Sequence, residues 1–114
     1  CYVAEELWGD NCGGLTHAGE IDALAVMATR PYLVHVDRIT VGSDKRQGQH
    51  MDKLRRTRSF QPVLTDIRNI APSGWYGDPE PATEKRGQGM MKDIAEYIAC
   101  EATELFDQLK TVLR

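Results

Sequence analysis

A long helix near the C-terminal end is the feature that most constrains how this chain folds. Apolar residues recur there at a spacing of about 3.6 residues, and charged residues fall on the other faces. The apolar stripe consists of Met91, Ile94, Ala95, Ile98, Ala102, Leu105, Leu109 and Val112. This pattern predicts an amphipathic helix over about 82–113, whose apolar face packs against other elements of the protein.

The Pro/Gly-rich passage over residues 71–79 provides a start signal for this helix. Asp78 followed by Pro79 predicts an N-cap and a first helical residue. Gly87 and Gly89 would each cost about 1 kcal/mol relative to alanine inside a helix. The helix therefore either begins after these glycines or uses their small size for close packing.

The first third of the chain divides into shorter segments. Residues 1–7 favour a short buried strand, and turn-forming residues at 9–14 predict a loop after it. Residues 18–30 carry one apolar helical face and stop at Pro31, which predicts a second helix. Residues 33–41 alternate weakly, which predicts one or two short strands or an extended arm.

Basic residues are concentrated in the middle of the chain. Seven of the 14 lysines and arginines fall within residues 38–58, in a polar stretch without a clear period. We therefore predict a long polar surface loop over about 42–60. A nucleic-acid patch built on Arg55, Arg56 and Arg58 is the alternative. The stretch lacks interleaved aromatic residues and the chain has a net charge of -3, so no nucleic-acid partner is expected.

Several protein classes do not fit this sequence. No apolar run approaches the roughly 18 residues of a membrane helix, and no signal peptide opens the chain. Cys1, Cys12 and Cys100 form no C-x-x-C pair, which indicates free, reduced thiols. We expect a cytoplasmic protein without a membrane partner. Because structured sequence begins directly at Cys1 without a methionine, we interpret the chain as a fragment or a processed piece.

Two ordered motifs carry the strongest functional signal. Residues 17–34 begin His17-Ala18-Gly19 and end in an Arg-Pro-x-Leu-Val exit, and a Gly-Asp-Pro segment at 77–79 is followed by Ala82-Thr83. Both resemble the creatininase (creatinine amidohydrolase) family, over nearly the whole chain but over only the latter half of a family member. The resemblance implies an α/β fold, in which residues 1–114 form the C-terminal portion of a three-layer αβα domain that ends in the long helix.

The resemblance also implies an activity and its requirements. Family members hydrolyse a C–N bond of a small cyclic or linear amide with water activated by a divalent metal, usually zinc or manganese. The family's Glu-x-His, following Asp and Asn-Gly-His motifs belong to the half that this chain lacks. Metal ligands are therefore expected mostly outside this chain, which by itself is expected to be inactive. The expected partners are the amide substrate, the missing N-terminal portion or a companion chain, and further copies in a homo-oligomer, a hexamer by resemblance.

Three residues are candidates for the site. By the resemblance, His17 matches the family's catalytic histidine, and an imidazole suits acid/base chemistry near neutral pH. Asp22 stands at the Glu of the family's Glu-Thr-Ser and is a second catalytic candidate, although the helix dipole also favours an acid in a first turn. Trp8 is a candidate substrate-binding residue, with simple packing as the alternative. His35 and His50 show no metal-ligand spacing with His17.

Three differences from the family leave a second interpretation open. Ala23 and Leu24 replace the family's Thr-Ser pair, and Thr16 stands where creatininase has a glutamate beside the histidine. These changes argue against a creatinine-type mechanism. The alternative function is a non-catalytic creatininase-like scaffold or interaction subunit.

Overall fold

The structure, a computed structural model, describes residues 2–14, 16–39, 74–75 and 77–113. Three α-helices form its framework: α1 (Tyr2–Trp8), α2 (Glu20–Met27) and α3 (Glu84–Val112). Three short 3-10 helices lie at Gly9–Asn11, Pro31–Leu33 and Val36–Arg38. Within these ranges there is no β-strand, so the predicted three-layer αβα arrangement has no sheet here. The polar loop predicted over about 42–60 lies outside the described residues.

The prediction of a strand over residues 1–7 is wrong over its described part, because Tyr2–Trp8 form helix α1. Ala4 is buried, and Trp8, one helical turn later, is half-buried against the same side. Glu5 and Glu6 both lie within this helix. A segment of seven residues is too short for its apolar pattern to separate a strand from two helical turns.

The predicted strands or extended arm at 33–41 are also wrong over the part that is described, up to residue 39. Pro31 opens a 3-10 turn that is closed by a hydrogen bond from the Val34 amide to the Pro31 carbonyl at 3.1 Å. A second turn is closed from the Ile39 amide to the Val36 carbonyl at 3.3 Å. These local bonds use the backbone groups that a strand would need for pairing.

The helix predicted over 18–30 is confirmed as α2, which starts two residues later and ends three residues earlier than predicted. Ala18 has φ 55°, which is incompatible with a right-handed helix, and Gly19 is the extended N-cap. Ile21, Leu24 and Met27 form the buried face. Leu24 has no exposed surface and is the centre of the packing against α3.

The long C-terminal helix is α3, but its start differs from the predicted one. Thr83 is the N-cap, and its Oγ1 accepts a hydrogen bond from the Arg86 amide at 3.2 Å. Asp78, the predicted cap, instead accepts from the Glu80 amide at 3.3 Å in a turn. Pro81 explains the difference, since a proline disfavours helical backbone at the residue before it and so prevents a helix from running through Glu80.

The core lies between α2 and the first half of α3, with α1 beside them. Gly87 and Gly89 are both inside α3, and Gly87 lies against the backbone of α2 at Leu24 and Ala28. The second half of α3 continues past this core and exposes the apolar residues Ile98, Leu105, Phe106, Leu109, Val112 and Leu113. None of the described helices is long and apolar enough to cross a membrane.

Candidate functional site

The His17 loop is a tight turn that leads directly into α2. Ala18 is the one described non-glycine residue with positive φ. Its amide donates a hydrogen bond to Asp22 Oδ2 at 2.9 Å. Asp22 is the third residue of α2, so its carboxylate reaches back over the helix start in the manner of a capping box. Gly19 has no side chain to cap the helix, and Asp22 bonds instead to the amide of the residue before this N-cap.

This arrangement brings two of the predicted site residues together. His17 is exposed and directly precedes Ala18, whose amide donates a hydrogen bond to Asp22. Asp22 is also exposed, and its short side chain reaches the nearby Ala18 amide, from which it accepts a hydrogen bond. The local geometry can therefore present an imidazole to solvent on a loop whose backbone is fixed by hydrogen bonding.

The second sequence motif packs directly onto this loop. Gly77 has φ 132°, and a Cβ added to it would lie 3.0 Å from the Gly19 Cα. A Cβ on either glycine would collide with the Thr16 hydroxyl. Thr16 therefore occupies the space between the two glycines. The two motifs, 58 residues apart from Gly19 to Gly77, form one structural unit.

A partly buried ion pair joins the first turn of α2 to α3. Glu20 is only 3% exposed and is the only buried charged residue in the described part of the chain. Arg86 Nε and Nη2 both donate to Glu20 Oε1, at 2.9 and 2.5 Å. These hydrogen bonds raise the pKa of Arg86 above its ordinary value, against the opposing effect of burial. Sequence reasoning missed this pair, since no local pattern links residues 66 positions apart.

Trp8 lies in the same cluster, at the end of α1. Its indole ring stacks on the Arg86 guanidinium, with 5.4 Å from Cζ to the ring centroid. The indole nitrogen donates to Asp93 Oδ2 at 2.8 Å, and Gly89 lies beside the ring. The structure therefore places the predicted substrate-binding residue against α3, with its one polar group already in a hydrogen bond.

Cys12 completes the cluster as a buried thiol. Its Sγ accepts a contact from Arg86 Nη2 at 3.8 Å. Burial, reinforced by the nearby Glu20 carboxylate, raises the pKa of Cys12 from 9.0 to about 11. The thiol is therefore protonated at neutral pH, which makes it a poor nucleophile. Cys12 and Cys100 are both free, as the sequence predicted, whereas Cys1 lies outside the described residues.

The described residues do not assemble a metal site. Among residues 2–14, 16–39, 74–75 and 77–113, no group of three or more histidine, cysteine, aspartate or glutamate side chains is placed to hold an ion. The side chains in this part of the chain thus do not by themselves form a binding site for a divalent metal ion. That the ligands lie mostly outside this chain stays a prediction.

Comparison with known proteins gives one match. A model of the creatininase family, described as creatinine amidohydrolase, matches residues 2–101, which include α1, the His17 loop, α2 and most of α3. No curated protein and no solved structure matches the chain. The match includes both motifs that the structure brings into contact through Thr16.

Proposed function

The chain belongs to the creatininase family, and on that premise we propose that it is the C-terminal part of a metal-dependent amidohydrolase. The substrate class is a small cyclic or linear amide, and the reaction is hydrolysis of its C–N bond. The observation that carries the proposal is the family match across the loop that presents His17 to solvent.

His17 acts as the acid/base group in this proposal. It accepts a proton from the attacking water as the oxygen bonds to the amide carbon, and it donates that proton to the nitrogen as the C–N bond breaks. Asp22 contributes by holding the Ala18 amide, which fixes the loop on which the imidazole is carried. We propose that Trp8 contacts the substrate only with the face or edge of its ring, because the indole N–H donates a hydrogen bond to Asp93.

The metal requirement is proposed from family membership. Zinc or manganese would be held mostly by residues outside this chain. We further propose that the chain completes a three-layer αβα domain with a preceding segment or a companion chain, and that the location is cytoplasmic.

Self-association is also part of the proposal. The exposed apolar residues on the second half of α3 support a homo-oligomer in which this stripe meets its counterpart on a second copy, because a two-fold contact covers the same patch on both partners. Sedimentation analysis of the wild-type chain and of Leu105→Glu tests this contact. The wild type is expected to associate and the variant to remain monomeric. Equal sedimentation masses for the wild type and the variant would refute this contact.

The decisive experiment uses the complete reading frame that contains this chain. The frame is expected to encode Glu-x-His, a following Asp and Asn-Gly-His upstream of Cys1. The purified product is tested for bound zinc and manganese and for loss of creatinine, formamide and other small amides. His17→Gln should lower turnover by about 10²-fold or more. His35→Gln is the matched control, since His35 is also exposed, and it should leave turnover unchanged.

The alternative is a non-catalytic creatininase-like scaffold, which one observation favours. Leu24 occupies the position of the family's serine and is fully buried in the core, so that position serves packing here. A scaffold predicts no bound metal and no turnover in the complete product. Metal binding together with loss of turnover in His17→Gln would exclude it.

A further inference from the structure

The Glu20–Arg86 pair connects the His17 loop to the body of the protein. Glu20 is the first residue of α2, three positions after His17, and Arg86 is the third residue of α3. Their contact therefore joins the start of α2, next to the loop, to α3 through two hydrogen bonds. The hydrogen bond from Ala18 to Asp22 joins residues four positions apart, so by itself it does not connect the loop to α3.

The guanidinium is itself held in place from two sides. Arg86 forks onto one oxygen of Glu20 while its face lies on the Trp8 ring. Asp93, on the same helix as Arg86, anchors that ring through the indole nitrogen. A planar fork stacked on an aromatic ring has few alternative positions, a property that a lysine ammonium does not share. Glu20 is only 3% exposed, so its carboxylate depends on Arg86 for charge compensation, although the Arg86 side chain is itself 39% exposed.

We propose that Arg86 is a positioning residue that clamps the start of α2 to α3 and so fixes how the loop presents His17, with Trp8 as the stacking surface that holds the guanidinium. The relevance to catalysis rests on the proposed function, but the clamp itself does not. A merely structural ion pair would stabilise the whole fold evenly. A positioning residue acts most on the loop.

Amide hydrogen exchange in the full chain separates these two roles. Exchange of the Ala18 amide, which is hydrogen-bonded to Asp22, measures the stability of the loop. Exchange of the Ala28 amide, which is hydrogen-bonded to the Leu24 carbonyl at 2.9 Å, measures the stability of the body of α2. Arg86→Gln should accelerate exchange of Ala18 by tenfold or more and exchange of Ala28 by clearly less. Arg86→Lys should lie close to Arg86→Gln, because the charge is kept and the fork is lost. Lys85→Gln removes an exposed charge next to the clamp and should change neither amide.

Glu20→Gln is a milder second variant if Arg86→Gln does not fold, since it keeps the shape of the side chain. It should also accelerate Ala18 selectively. Equal acceleration of amide exchange at Ala18 and Ala28, or no change in exchange at either residue, would overturn the proposal that Arg86 is a clamp. Full retention of Ala18 protection in Arg86→Lys would overturn the requirement for the fork.

Turnover provides a separate result in the complete reading frame. Arg86→Lys should lower kcat more than it raises KM, because a misoriented imidazole affects the reaction more than substrate binding. If His17→Gln leaves turnover intact, the proposed function fails, while amide exchange still decides whether the clamp exists. If His17→Gln abolishes turnover and Arg86→Lys leaves kcat unchanged, the role of the clamp in turnover is overturned and the proposed function stands.

Discussion

Two glycines in α3, only two positions apart, should respond in opposite directions to the same substitution. A methyl group added at Gly87 would lie against the Leu24 carbonyl oxygen, 2.8 Å from the Ala28 nitrogen and 3.2 Å from the Ala28 Cα. All three atoms belong to the backbone of α2 and cannot rotate away. A methyl group added at Gly89 would meet only the Trp8 ring, at 3.7–3.8 Å, which is ordinary van der Waals contact.

The magnitudes follow from helix propensity and packing. Alanine inside a helix is more favourable than glycine by about 1 kcal/mol. Gly89→Ala should keep most of this gain and raise the free energy of unfolding by about 0.5–1 kcal/mol. Overpacking costs roughly 1–3 kcal/mol, and a collision with backbone belongs in the upper part of that range. Gly87→Ala should therefore lower the free energy of unfolding by about 1–2 kcal/mol after the propensity gain.

Urea unfolding followed by far-UV circular dichroism measures both changes. The midpoint should rise for Gly89→Ala and fall for Gly87→Ala, with an unchanged slope m in each case. Gly89→Ala is the matched control, because it makes the same substitution in the same helix. The reasoning is refuted if Gly87→Ala is as stable as the wild type, or if both variants shift the midpoint in the same direction.

Four further predictions concern the cysteines, Thr83 and Gly77. At neutral pH a thiol reagent should modify Cys100 rapidly and Cys12 only upon unfolding, since Cys12 is buried and its pKa is raised to about 11; equal rates would contradict this. Because the unfolded thiol ionises first, the unfolding free energy should fall between about pH 9 and 11, and Cys12→Ala should weaken this decline. Thr83→Ala removes the α3 cap and should cost about 1 kcal/mol in urea unfolding, whereas Thr83→Asp should preserve most of the stability. Gly77→Ala, at φ 132° and 3.0 Å from the Gly19 Cα, should destabilise by about 1–3 kcal/mol, and unchanged stability would contradict the contact between the two motifs.

The site was only partly readable from the sequence. The motifs identified His17 and Asp22, and the structure places them in one loop and helix start. The pairing of Glu20 with Arg86 was not predictable, because each residue alone is typical of a first helical turn or an exposed helix face. Trp8 was predicted to border a strand, whereas it lies on a helix and stacks on Arg86.

The sequence by itself determined the two helices whose periodicity is strong, α2 and α3, because a stripe repeated over several turns has only one regular backbone that places it on one side. The tertiary structure decided the features that depend on neighbours distant in the chain. Seven residues at the N-terminal end became helix α1, which packs on α3. Gly87 was needed because α2 passes directly over it, and a helix propensity scale contains no information about a neighbouring backbone. The contacts of Arg86 with Glu20 and Trp8 require α1, α2 and α3 to meet at one point, which no local sequence pattern predicts.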